Sequence, residues 1–181
     1  MKLTEILDQM HLDAMLITNP YNMRYVSHFR GGEGILLISR KSRVLITDSR
    51  YTEAAKQESD FQVEECNHLR KTTDILNDWI EREQLLTVGY EDASMLCSTF
   101  REYQTGLPAI KEWIPLGVAV TRLRQIKTPE EIGYLRQAEA IGDAAFTKIL
   151  DIIKPGMTEL EIQAELEYQM MKCGASGTSF D

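Results

Sequence analysis

The sequence predicts an α/β domain, a mixed sheet of about six strands flanked by helices, followed by a helical hairpin. Three observations predict it. In the first two-thirds of the chain, short apolar runs of strand character alternate with segments whose apolar residues recur at helical spacing. Two S/T-x-x-E capping boxes, Thr128 with Glu131 and Thr158 with Glu161, each open a helix near the end of the chain. Lys154-Pro155-Gly156 breaks the chain between those helices, and Gly174 stands where a left-handed cap would close the second.

Each element follows from its residues. Leu3, Ile6, Leu7 and Met10 lie at helical spacing and give a short first helix. Ala14-Met15-Leu16-Ile17-Thr18 is a buried strand ended by Asn19-Pro20. Gly34 to Ile38 and Val44 to Thr47 are apolar runs joined by Ser39-Arg40-Lys41-Ser42, a hairpin. Asp48-Ser49 caps a helix running through Tyr51 and Ala55. Phe61, Val63 and Glu65 alternate with polar residues, as in a half-exposed edge strand. Ile75, Leu76, Trp79 and Ile80 mark the next helix, Leu86 to Tyr90 a strand, Ser94 to Gln104 a helix and Ala109 to Ile114 a last strand. A short basic helix or linker, with Arg122, Arg124 and Lys127, leads to the hairpin. This places a first domain over residues 1–120 and a second segment over 121–181. Leu16, Trp79, Tyr90 and Phe100 are the expected core of the first. Ile132, Leu135, Ala145, Phe146, Ile149 and Ile153 form an apolar stripe on the first hairpin helix, and Ile162, Leu166 and Met170 one on the second.

Composition excludes several classes. A hydrophobic fraction of 43% with 27% charged residues is ordinary globular composition. A net charge of −8 leaves no basic footprint for nucleic acid. Cys66, Cys97 and Cys173 are far apart and form no paired motif, which argues against a disulfide framework or zinc ribbon. Cys97 and Cys173 are expected to pack as small apolar groups in helices, in a reduced, cytoplasmic protein. No signal peptide or membrane span is expected, because no apolar run reaches the necessary length.

A search for chemistry within the chain returns little. No HExxH zinc helix and no G-x-S-x-G nucleophile elbow occurs. His11, His28 and His68 are scattered, whereas metal ligands come in clusters. Gly31-Gly32-Glu33-Gly34 leads into a strand rather than a helix, so it lacks the helix N-terminus of a phosphate loop and is better explained as a turn or bulge.

Four stretches, in order, carry a resemblance. Asn19-Pro20-Tyr21-Asn22-Met23-Arg24-Tyr25-Val26-Ser27-His28-Phe29 resembles ITNPxNxRYLTGF, and Leu45-Ile46-Thr47-Asp48-Ser49-Arg50-Tyr51 resembles LITDxRY. Val88-Gly89-Tyr90-Glu91 resembles VGFE, and Arg124-Gln125-Ile126-Lys127-Thr128-Pro129-Glu130-Glu131 resembles RxIKTPEEI. These are segments of the creatinase, aminopeptidase P and prolidase family, the "pita-bread" metallopeptidases, and the match is nearest to bacterial Xaa-Pro dipeptidases and aminopeptidases. Leu123 to Asp181 resembles the entry into the family's catalytic domain, where Ser179-Phe180-Asp181 matches an SFD segment that precedes the metal site.

The resemblance implies the N-terminal part of a homodimeric peptidase that cleaves the bond before proline in short peptides. In the family two Asp, one His and two Glu hold two divalent metals, manganese, cobalt or zinc. A metal-bridging hydroxide attacks the carbonyl, a step two metals can promote. A specialised site suits this bond, because the proline nitrogen is tertiary and donates no N–H. All five ligands would lie beyond Asp181, which matches none of them, so this segment is expected to bind no metal and to be inactive alone. Its role would be oligomer interface and active-site wall. A non-catalytic protein-binding module and a creatinase-type amidinohydrolase are the alternatives. Where relatives read GFTGSAG, this chain has His28-Phe29-Arg30-Gly31-Gly32-Glu33-Gly34. That loop has two readings. In one, Phe29 lines the entrance to a partner subunit's site and Arg30 meets a substrate carboxylate. In the other, it is a solvated turn with Phe29 in the local core.

Overall fold

A computed structural model describes residues 3–178, so Ser179-Phe180-Asp181 lie outside the described residues. The chain divides into two compact units, Met1–Ile126 and Lys127–Asp181.

The first unit has three layers. Its sheet contains β1 (Ala14–Ile17), β2 (Ile35–Ser39), β3 (Arg43–Asp48), β4 (Gln62–Cys66), β5 (Thr87–Tyr90) and β6 (Glu112–Pro115), in the order β4-β3-β2-β1-β5-β6. Pairings β1–β2 and β2–β3 are antiparallel; β3–β4, β1–β5 and β5–β6 are parallel. Only β2 therefore runs against the rest, and the carboxyl ends of the other five meet at one edge. The helices are α1 (Leu3–Gln9), α2 (Pro20–Ser27), α3 (Thr52–Glu58), α4 (Thr72–Glu83), α5 (Cys97–Gly106) and α6 (Ala119–Leu123). Strand periodicity sorts the core. Met15, Ile17, Leu36, Ile38 and Leu45 face Ile6, Leu7, Met23, Phe29 and Val120, while Ala14, Leu16, Ile35, Val44 and Ile46 face Ile75, Leu76, Trp79 and Leu107 on the other side. A central strand buried on both faces reads as a continuous apolar run, as β1 does.

Several expectations need adjustment. The chain after β1 forms α2, with Asn19 as N-cap accepting from the backbone N–H of Tyr21 and Asn22, and Pro20 at the first turn. The cap of α3 is not Asp48: its carboxylate accepts from Arg50 N–H instead, and the helix starts at Thr52 without a side-chain cap. The compact first unit runs to Ile126, past the expected boundary near residue 120, with Leu123 packed against its core and Arg124 bonded to Asn22. Tyr90 and Phe100 are half-buried and stack on each other, centroids 4.2 Å apart, rather than joining Trp79 and Leu16 in the deep core. Cys97 is exposed, so it does not pack as an apolar group.

The second unit is the hairpin of α7 (Pro129–Leu150) and α8 (Glu159–Lys172), and both capping boxes form reciprocally. Gly174, at φ 105°, lets Ala175 N–H reach Met170 O, closing α8 in the left-handed geometry. Ala145 and Ile149 are the buried seam of α7, whereas Ile132, Leu135, Phe146 and Ile153 keep 39%, 55%, 58% and 43% of their surface exposed. No helix of the described residues is long and apolar enough to cross a membrane.

Candidate functional site at the carboxyl edge of the sheet

Parallel strands expose their carboxyl ends at one edge, where loops can carry function while the sheet stays rigid. Here that edge collects two constellations.

The first surrounds Glu91, just past β5, whose side chain is buried. One oxygen accepts from the backbone N–H groups of Thr18 (2.7 Å) and Asn19 (2.6 Å), at the end of the neighbouring β1. The other accepts from Asn22 Nδ2 at 2.6 Å. Asn22 Oδ1 accepts in turn from Arg124 Nε at 2.8 Å, and Tyr25 OH donates to Leu123 O at 3.0 Å. Buried polar groups need partners, and Glu91 satisfies two backbone donors that β1 leaves at its end. Asn19, Asn22, Tyr25, Glu91 and Arg124 all lie within the family-like motifs, but nothing in those stretches alone points to a role for them. The available signal was a carboxylate directly after an apolar strand, in Val88-Gly89-Tyr90-Glu91.

The second is the loop 28–34 between α2 and β2, with its anchors. The structure places Phe29 in the core with no exposed surface, edge-on to Tyr51 with centroids 6.2 Å apart. Of the two readings of the loop, this burial supports the one with Phe29 in the local core. Its ring completes the apolar face beneath the loop, where burial outweighs exposure for so large a side chain. Arg30 is on the surface. Its backbone N–H donates to Glu58 Oε2 (2.8 Å), and its Nε and Nη2 donate to Glu58 Oε1 (3.1 and 2.8 Å). Those bonds, the backbone one foremost, hold the Glu58 carboxyl below its ordinary range. Further along, Arg50 Nη2 bridges Glu33 Oε2 (2.5 Å) and Asp48 Oδ2 (2.7 Å). The Arg50 side-chain bond, followed by its backbone N–H, lowers Asp48; Asp48, ahead of Glu33, raises the guanidinium. The loop is therefore pinned at both ends by arginine–carboxylate pairs. Arg30 keeps Nη1 uncommitted to Glu58, which leaves a second guanidinium edge for another carboxylate.

A cleft of about 190 Å³ opens beside this loop, lined by Gly34, Asp48, Cys66, Thr72 and Tyr103, and a neighbouring one of about 360 Å³ shares the last four. Burial, then Glu102 and Cys66, raises the Tyr103 hydroxyl. His11, His28 and His68 are exposed, each after a different element; the first two sit at positive φ, 54° and 62°. Among the described residues no group of three or more His, Cys, Asp or Glu side chains could hold a metal ion.

The family model for the Creatinase/Prolidase N-terminal domain matches residues 1–126. The chain belongs to that family. The model for metallopeptidase family M24 matches residues 133–181, which take in most of the hairpin. The chain is 38% identical over 182 residues to the uncharacterized peptidase YqhT of Bacillus subtilis, covering 99% of this chain and 50% of that one. It is similar to the X-Pro aminopeptidase of Thermotoga maritima (36% identity, TM-score 0.88, 98% of this chain and 51% of that one). It is equally similar to an Xaa-Pro dipeptidase from Bacillus anthracis (35% identity, TM-score 0.89, 99% and 50%). The chain thus spans about half the length of the relatives it matches.

Proposed function

We propose that the chain is the N-terminal part of a dinuclear-metal Xaa-Pro peptidase that hydrolyses the bond before proline in short peptides, working as a cytoplasmic homodimer. The observation that carries this reading is end-to-end similarity, in sequence and fold, to enzymes named for X-Pro cleavage. The described residues do not fit a divalent-metal pair, since they offer no cluster of ligating side chains. The proposal accordingly places the donor set outside them, and no chemical step is assigned to this segment. What the segment contributes is a rigid wall and an interface. Within that reading Arg30 faces the substrate's carboxylate in a neighbouring subunit, with Phe29 beneath the loop as its support. Glu58 holds one edge of the guanidinium and leaves the other to the ligand.

The test is an assay with two proteins. The 181-residue chain with excess Mn²⁺ or Co²⁺ should leave Leu-Pro intact; chelator-sensitive turnover by it overturns the placement of the ligands. A full-length protein carrying this chain should cleave Leu-Pro and spare Leu-Ala. Metal-loaded full-length protein inert toward Xaa-Pro peptides, or active on creatine instead, overturns the peptidase reading.

A further inference from the structure

We infer that Arg124 is a positioning residue that latches the end of the first unit, acting through Asn22 on Glu91. Three side chains of α2 grip the chain just before it leaves this unit. Asn22 binds Arg124 Nε (2.8 Å), Tyr25 binds Leu123 O (3.0 Å), and the Arg124 guanidinium lies 5.8 Å from the centre of the Tyr21 ring. Positions 21, 22 and 25 share one face of a helix, so a single turn of α2 presents all three.

Asn22 is the adaptor. It is 4% exposed, its amide nitrogen donates to Glu91 Oε1 (2.6 Å) and approaches Thr121 Oγ1 (3.4 Å), and its oxygen receives the guanidinium. Turned the other way, it would aim an oxygen at the Glu91 carboxylate and an N–H at a cation. The amide therefore has one orientation, with its dipole aligned between an anion and a cation. Glu91 is itself fixed by the N–H groups of Thr18 and Asn19, so Arg124 is referred back to the β1–β5 centre of the sheet. Two residues later Ile126 is 85% exposed, and there the first unit ends. The grip stops where the unit stops. A chain gripped this way departs from a rigid anchor instead of a frayed helix end.

The inference gains meaning from the proposed peptidase, because the segment that follows matches the metallopeptidase family model, but its test uses no Xaa-Pro cleavage by the protein and stands apart from that reading. In the 181-residue chain, amide exchange is followed at Arg124 and Gln125, whose N–H groups donate to Thr121 O and Arg122 O. Arg124→Gln should accelerate these two amides about tenfold, the loss expected when one charge-assisted bond goes. Met15 in β1 and Val88 in β5 should keep their protection, and Arg124→Lys, which retains one donor, should recover part of the effect. Trypsin should cut after Lys127 faster in Arg124→Gln and in Asn22→Ala. Should Asn22→Ala fail to fold, Arg124→Gln decides alone. Unchanged exchange at Arg124 and Gln125, or acceleration spread equally to β1 and β5, overturns the latch.

Discussion

Gly31 lies against the ring of Phe29: a Cβ at position 31 would come within 2.2 Å of Phe29 Cζ and 2.9 Å of Tyr51 Cδ1. The ring cannot retreat, because it is already fully buried. Gly31→Ala should therefore overpack the loop and lower stability by about 1–3 kcal/mol. Phe29→Ala, which empties the site, should cost about 3–5 kcal/mol. Urea unfolding followed by tryptophan fluorescence measures both. Full stability in Gly31→Ala would mean the loop stands away from Phe29.

Acid should release the loop from α3. Glu58 has a lowered pKa because Arg30 donates to it, so its contribution is present above the unfolded carboxylate value and is lost as pH falls through the folded one. Asp48 behaves the same way through Arg50. The Arg30 amide resonance, reporting the bond to Glu58, should titrate with a midpoint below the ordinary carboxylate region. A midpoint at or above that region would contradict the pairing.

Residues 1–126 should unfold cooperatively on their own, and residues 1–120 should be markedly weaker. The shorter chain severs α6 after the buried Val120 and deletes Leu123 and Arg124, which Tyr25 and Asn22 hold. Differential scanning calorimetry compares them. Equal melting temperatures would return the boundary to residue 120.

Each hairpin helix should depend on its capping threonine. Thr128→Ala and Thr158→Ala should each cost about 1 kcal/mol, seen as faster amide exchange in the first turn of the helix. Glu161 is lowered by the backbone N–H and then the hydroxyl of Thr158, so the second cap should be present at neutral pH and lost as pH falls through the lowered value. No pH dependence of first-turn exchange in α8 would remove Glu161 from the cap.

The sequence reports an element wherever a few neighbouring residues carry the signal. Thr128 and Thr158, each three positions before a glutamate, announced α7 and α8, and the apolar run from Ala14 announced a strand buried on both faces. Helix α2 was missed because Tyr25 and Val26 favour strands; only Asn19-Pro20, an N-cap followed by proline at the first turn, told otherwise. The role of Glu91 was illegible for a different reason. Its partners Thr18, Asn19 and Asn22 lie 69 to 73 positions away, and they meet only because β1 and β5 pair in parallel. Phe29 sat between two readings until Tyr51, brought near by β3, closed over it.

The place of β1 in the sheet has a consequence for how the chain is made. Once Cys66 has been synthesised, β4, β3, β2 and β1 can pair, and β2 and β3 need only a short turn to do so. The other side of β1 must wait for Thr87–Tyr90. Until then the nascent chain displays a half-sheet whose open border is Ala14-Met15-Leu16-Ile17, an uncharged strand without proline, the kind of border that recruits other strands. Stalled chains ending before residue 87 should therefore be chaperone clients, and chains long enough to deliver β5 should be released.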